Sequence, residues 1–320
     1  MINSPNNNIE SNVNVNKTLN HIVEQNLLSN AYIFCGPEGV GKKDAALNFI
    51  SKIIQKNNSD ESSYQKIAEN NHPDFLLIEP TYLEKGNFIV KSQLKFDKNQ
   101  TTKPVIRINQ IRSIRNFLGK KSILSNKKFV LIDDAHLLNE AASNCLLKTL
   151  EEPANGLFIL ISSELNSLLE TIISRCQKIK FKPFTSDQLT KFLQHSTNVM
   201  EEGKINRYIE ALLYLSNGSP AKLIDSINAL KAMPEEIKEA IKEPTTNYSS
   251  ALNLAKNISS ELDIFKQKFL VEFLQYTWWK QSSNKVFLNS LEELKSNLSN
   301  NLQNRLSWEV SLLKIVLNKD

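Results

Sequence analysis

Cysteine and glycine are both scarce in this chain. Only Cys35, Cys145 and Cys176 occur among 320 residues. Three scattered thiols, odd in number, argue against a disulfide framework and against a cysteine zinc site. Glycine occurs 8 times, so the few glycines that cluster carry information. Long apolar runs are also missing. The longest, such as Leu157 to Ile161, reach about five residues, against the roughly 20 that cross a bilayer. The N-terminal residues are polar and Asn-rich and lack a signal-peptide core. These absences predict a soluble, cytoplasmic protein with no membrane partner.

What is present is a globular balance, with 41% hydrophobic and 23% charged residues. That supports a sizeable core and excludes wholesale disorder. The length fits two or three domains. A net charge of +5 is compatible with nucleic acid without establishing it.

Residues 1–16 read as a loose tail, followed by helical spacing of Leu19, Ile22, Val23, Leu27 and Leu28. Ala31 to Cys35 reads as a buried strand. A glycine-rich turn, Gly36 to Lys42, leads into a helix from Asp44 to Gln55. Residues 57–72 read as polar loop and 80–104 as irregular surface loop, with a strand at Phe75 to Ile78 between them. A helix from Ile106 to Leu118, a strand from Phe129 to Ile132 and a helix from Asn139 to Leu150 follow. Next come a strand from Leu157 to Ser162, a helix from Leu168 to Ser174 and a strand from Gln177 to Phe181. Strands alternating with helices predict an α/β domain with a parallel sheet covered on both faces. After Pro183 only helical periodicity remains. The expected division is an α/β core over 1–183, a small helical block over 184–244 and a C-terminal all-α block over 245–320.

The turn Gly36-Pro37-Glu38-Gly39-Val40-Gly41-Lys42-Lys43 nearly fits the phosphate loop. Its glycines let backbone N–H groups converge on phosphate, and Lys42 would reach the terminal phosphates. The last position should be Ser or Thr, whose hydroxyl ligates Mg²⁺. Lys43 cannot do that while protonated. On the residues alone, nucleotide binding through Gly36, Gly39, Gly41, Lys42 and Lys43 stays open, and efficient hydrolysis is not expected. Asp133 and Asp134 end an apolar strand in the manner of a Walker-B motif. Asp133 would hold the Mg²⁺ shell and the next acid would polarise the attacking water. Asp134 stands where such enzymes usually carry Glu and is one methylene shorter.

Arg175 closes a helix just before a strand, where an arginine can project from the domain edge. From Lys98 to Ile132 the chain has nine basic residues and no acidic ones. Arg112 and Arg115 share a helix face. With Lys120 and Lys121 they are candidates for contact with a nucleic-acid backbone, and an ordinary solvated face is the equal alternative. His136 reads as a surface residue, and Tyr276, Trp278 and Trp279 as helix-packing residues. No metal site is expected.

The run Asp133-Asp134-Ala135-His136 through Asn144-Cys145-Leu146-Leu147-Lys148-Thr149-Leu150-Glu151-Glu152-Pro153, followed by Ser174-Arg175-Cys176, resembles the bacterial clamp-loader AAA+ family. So does Asn30 to Lys42, and the resemblance covers residues 19–220. It implies an AAA+ core, a helical lid over 184–244 and a C-terminal collar over 245–320. It also implies a pentamer with a delta subunit and tau or gamma ATPase subunits, which loads the sliding clamp onto primed DNA during replication by DNA polymerase III. In that family the Ser-Arg-Cys arginine, here Arg175, acts as an arginine finger in a neighbour's ATP site. The family's ATPase subunits carry Thr or Ser where this chain has Lys43, and Glu where it has Asp134. Their γ-phosphate-sensing lid Arg is replaced by Ala221, followed by Lys222. Three departures in one ATP site favour a non-motor, stator-like member that requires no cofactor of its own. The alternative is an ATPase subunit that binds and hydrolyses Mg-ATP itself.

Overall fold

A computed structural model describes residues 12–58, 62–84, 86–93, 103–195, 208–300 and 302–318. The tail residues 1–11, Lys98 in the basic run, and residues 206–207 of the expected small helical block lie outside the described residues. The chain divides into two compact units, Met1–Gln188 and Leu189–Asp320.

In the first unit, α1 (Val13–Glu24) precedes β1 (Ala31–Cys35), α2 (Lys42–Asn58) and α3 (Ser63–Ala68). Then come β2 (Phe75–Ile78), β3 (Thr81–Glu84), β4 (Asn87–Val90) and α4 (Ile108–Leu118). β5 (Lys128–Ile132), α5 (Glu140–Glu151), β6 (Gly156–Ser162), α6 (Glu170–Ser174) and β7 (Gln177–Lys180) complete it, before α7 (Ser186–His195). The main sheet has the order β2-β5-β6-β1-β7, and every pairing in it is parallel. All positions of β1, β5 and β6 are buried. This is why they read as continuous apolar runs rather than alternating ones.

Successive side chains leave a strand on opposite faces. Ile33 therefore joins Val130, Ile132, Phe158 and Leu160 in a core closed by Ile111 and Ile114 of α4 and Leu146 of α5. On the other face Tyr32 meets the edge of Phe49 on α2, with ring centroids 5.3 Å apart. Burying each such large apolar side chain contributes about 1.5–3 kcal/mol. β7, at the sheet edge, is largely exposed and carries Lys178 and Lys180.

Three segments differ from the sequence expectation. Helix α1 begins at Val13 rather than after residue 16 and ends before Leu27 and Leu28. Asn12, expected in the loose tail, is buried and donates its Nδ2–H to the Val40 carbonyl at 3.1 Å. Helix α3 lies inside 57–72, where Ile67 buries one face. Within 80–104, β3 and β4 form an antiparallel hairpin with Gly86 at φ +85° between them, and Lys91–Gln93 forms a 3-10 turn after it.

The buried Asp74 organises the connection from α4 to β5. Its carboxylate accepts N–H bonds from Ile123 (2.9 Å), Leu124 (2.7 Å) and Ser125 (2.9 Å), and the Ser125 hydroxyl at 3.0 Å. Burial alone would raise its pKa, but these donors outweigh burial and hold it below the ordinary value.

In the second unit, α8 (Ile209–Leu215), α9 (Pro220–Lys231) and α10 (Glu235–Ala240) precede α11 (Tyr248–Glu261). α12 (Ile264–Ser282), α13 (Lys285–Ser299) and α14 (Asn304–Leu317) follow. Trp278 and Trp308 are fully buried here. Each indole N–H finds an acceptor, as a buried indole requires: the Ile241 carbonyl for Trp278 and Gln267 Oε1 for Trp308, both at 3.0 Å. Trp278 thus packs as expected, and Tyr276 lies against Tyr214 at 4.6 Å. Trp279 departs from the expectation and faces solvent. No helix among the described residues is long and apolar enough to cross a membrane.

Because the folded pKa of Asp74 is depressed, its stabilisation is complete above the unfolded pKa and is lost as pH falls through the folded one. Asp74→Asn should therefore cost about 1.5–3 kcal/mol at pH 7, the range for hydrogen bonds to a charged group. The gap to wild type should close below the ordinary carboxylate range. Thermal denaturation of both chains across pH checks this, and a gap that ignores pH would refute it.

Candidate phosphate-loop site and edge arginine

The residues that come after β1, β2 and β5 emerge at one edge of the sheet, the place where parallel α/β sheets hold their ligands. After β1 comes the glycine turn. A methyl group on Gly36 would stand 2.3 Å from the Phe181 carbonyl oxygen, so only glycine fits that close approach. Gly39 and Gly41 have φ of +73° and +85°. The turn thus joins β1 to α2 through a backbone with left-handed glycine positions.

Its lysines are engaged with the protein itself. Lys42, 6% exposed, turns back and donates to the Gly36 carbonyl at 2.7 Å and to the Pro37 carbonyl. Burial pulls its pKa below the ordinary lysine value, with the Asp134, Glu38 and Asp133 carboxylates opposing. Lys43 reaches across to the acids that follow β5 and β2. Its Nζ lies 2.8 Å from Glu79 Oε1 and 3.0 Å from Asp133 Oδ2. Burial opposes its charge, yet those two carboxylates prevail and hold its pKa above the ordinary value.

Asp134 sits in the left-handed region at φ +47°, a conformation that Asp tolerates better than most residues. Its Oδ2 receives Lys91 Nζ at 2.8 Å. Glu79 also accepts from the Ser92 hydroxyl at 2.8 Å. Sequence reasoning misses Glu79, Lys91 and Ser92, because two of them fall in the stretch read as loop and all are distant in sequence from the motifs they join. The one available signal is the pair of short apolar runs around Gly86.

A Mg²⁺-nucleotide needs oxygen ligands for the metal and a free lysine for the phosphates. Here the hydroxyl ligand is missing and an ammonium group lies on Asp133. The loop lysine is bonded to its own loop. Three ammonium groups (Lys42, Lys43, Lys91) stand among four carboxylates (Glu38, Glu79, Asp133, Asp134), and Lys43 and Lys91 pair directly with Glu79, Asp133 and Asp134. The residues present do not fit that group. In the second unit, Ala221 and Lys222 occupy the first turn of α9. His136 is half-buried, with Nε2 3.3 Å from Ser163 Oγ. No group of His, Cys, Asp and Glu able to hold a metal ion occurs among the described residues.

Arg175 lies apart from this cluster, at the C-terminus of α6. Its guanidinium donates to the Thr171 carbonyl at 3.0 Å and pairs with Glu151 at 2.8 Å, with both side chains well exposed. It lines an open concavity of about 750 Å³ together with Leu28, Asn30, Leu150 and Pro153.

Arg112, Arg115, Lys120 and Lys121 are all exposed on α4 and the loop after it. Two other members of the basic run are structural. Lys128 is buried, donating to the Phe117 carbonyl at 2.6 Å and lying over the Phe117 ring. Arg107 donates to the Thr81 and Val105 carbonyls and stacks on Phe88.

Residues 11–185 match the family described as DNA polymerase III, delta subunit. Residues 187–315 match the cyanobacterial DNA polymerase III delta prime C-terminal domain. The chain is 33% identical to DNA polymerase III subunit delta' of Bacillus subtilis, over 53% of this chain and 47% of that protein. It is 30% identical to the subunit of the same name from Pseudomonas aeruginosa, over 72% and 66%. The matched stretch therefore spans less than two thirds of either relative's own length. A solved gamma subunit-related DNA polymerase III protein from Thermotoga maritima superposes with a TM-score of 0.50 at 17% identity, covering 95% of this chain and 99% of that one. At that identity the likeness concerns the fold.

The contacts of Lys42 predict a role in folding rather than in ligand binding. Lys42→Ala should lower the melting temperature in nucleotide-free buffer, by about 2–4 °C for each kcal/mol lost. A lysine reserved for phosphate would leave the nucleotide-free chain unchanged.

Proposed function

From the premise that this chain belongs to the DNA polymerase III delta-prime family and has an AAA+ core, we propose that it is the non-motor subunit of a clamp loader. On this reading Arg175 completes the ATP site of a neighbouring ATPase subunit. Residues 184–244 serve as the lid and 245–320 as the collar that holds the assembly. The chain works with tau or gamma ATPase subunits and a delta subunit, and meets the sliding clamp and primed DNA through the complex.

The observation that carries this reading is the Lys43–Asp133 ion pair at 3.0 Å. It sets an ammonium against the carboxylate that a motor subunit would reserve for its metal. A chain built this way contributes to hydrolysis through a residue it presents to others. Arg175 suits that task. A planar guanidinium binds phosphate oxygens bidentately. Its present partner Glu151 is more than half exposed, and exposed pairs hold by only about 0–1 kcal/mol. Exchanging Glu151 for a phosphate group is therefore cheap. The exposed cations Arg112, Arg115, Lys120 and Lys121 favour an additional, salt-sensitive contact with the DNA backbone within the same assembly.

Arg175→Ala should lower the melting temperature of the chain by no more than about 4 °C, since an exposed pair carries about 0–1 kcal/mol. It should reduce turnover at the neighbouring ATP site of the reconstituted complex by about 10³–10⁵-fold. Unchanged ATPase and clamp loading would sink the role. For the basic patch, removing the charges of Arg112 and Arg115 should weaken binding of the complex to primed DNA. The slope of log affinity against log salt should become shallower by about 0.9 for each phosphate no longer neutralised. An unaltered slope would place the DNA elsewhere.

A further inference from the structure

The phosphate-loop region raises a question that the assembly role does not answer. In an ATPase the loop helix and the Walker-B strand are joined through a divalent cation, held between a loop hydroxyl and the strand's Asp. This chain lacks the hydroxyl, so something else must join those elements.

Lys43 is placed to do so. It lies in the first turn of α2, where the helix dipole disfavours a cation. Its ammonium nevertheless lies 3.0 Å from Asp133, just after β5, and 2.8 Å from Glu79, just after β2. One side chain thus spans three elements of the core. The carboxylates are the more buried partners, with side chains 19% and 13% exposed against 38% for Lys43. Two carboxylates at such depth need a countercharge, and leaving them unpaired is strongly destabilising. The second oxygen of Glu79 is fixed by the Ser92 hydroxyl at 2.8 Å, and Asp134 is neutralised separately by Lys91. Among the described residues, neither Glu79 nor Asp133 pairs with another ammonium. The raised pKa of Lys43 keeps it charged at neutral pH.

We propose that Lys43 is a built-in substitute for the divalent cation. Its ammonium ties α2 to the ends of β5 and β2 and keeps the phosphate-loop core assembled with neither metal nor nucleotide. This goes beyond the stator reading and does not depend on Arg175. The site that in a motor subunit senses nucleotide is, in this chain, a permanent structural joint.

The test is thermal denaturation of the full chain in EDTA and in millimolar Mg²⁺, with ionic strength matched. Wild type and Lys43→Arg should melt together and ignore Mg²⁺. Lys43→Met should melt about 3–8 °C lower in both buffers, as expected for a partly exposed pair whose buried partners lose their countercharge. Lys43→Thr, which restores a hydroxyl and frees both acids, should melt low in EDTA and recover at least half of the loss in Mg²⁺. That recovery should vanish in Lys43→Thr/Asp133→Asn.

The proposal is overturned by Lys43→Met as stable as wild type in EDTA, by a wild type that Mg²⁺ stabilises, or by Lys43→Thr indifferent to Mg²⁺. If Lys43→Met yields no folded chain, Lys43→Thr purified in Mg²⁺ and then stripped with EDTA gives the same comparison. None of these readouts involves the ATPase of the complex, so failure here and failure of the Arg175 role are separately visible.

Discussion

In a parallel sheet every strand points the same way, so the residues leaving β1, β2 and β5 must come out on one edge. That constraint gathers Asp133, Asp134 and Glu79 next to the glycine turn and makes a concentration of negative charge unavoidable. Like charges held together at partial burial need countercharges. A motor of this architecture meets the need with Mg²⁺ and a nucleotide that come and go. Here Lys43 and Lys91 meet it from within the chain, and Lys42 closes onto the loop carbonyls. The same fold can host either solution, because the sheet fixes only where the acids emerge.

The internal solution has a consequence for how the chain takes part in an assembly. A core whose charges are balanced internally does not need to change state with nucleotide. On the reading proposed above, it would present Arg175 from a fixed edge while its neighbours cycle. The contrast between the two sites is physical. The Lys43 cluster is partly buried, multiply bonded and spread over several elements. The Arg175–Glu151 pair is exposed, single and easily exchanged. Stability resides in the first, and ease of exchange in the second.

Much of this is legible in the residues. The three central strands β1, β5 and β6 appear as apolar runs because strands buried on both faces have no polar positions to alternate. The glycine turn, the two acids and Arg175 are visible as a local pattern. The countercharges are not. Lys43 is readable as a missing hydroxyl, but its partner Glu79 is 36 positions away and Lys91 is 43 positions from Asp134. No periodicity links such residues. The β3–β4 hairpin is hidden by its short strands, although Gly86 between Tyr82-Leu83 and Phe88-Ile89 marks its turn. The start of helix α1 is hidden by asparagine-rich composition, even though Asn12 is held by the Val40 carbonyl. The run of nine basic residues from Lys98 to Lys128 overstates the charged surface. Lys128 and Arg107 spend their charges on carbonyls and rings, which only tertiary packing could show.

The central claim is that this α/β core is closed to its own nucleotide. Equilibrium binding of Mg-ATP to the purified chain, with hydrolysis followed in the same sample, tests it most directly. The account predicts no Mg²⁺-dependent binding and no turnover. Binding with steady turnover that Lys42→Ala abolishes would contradict it, and would make the chain a motor in its own right.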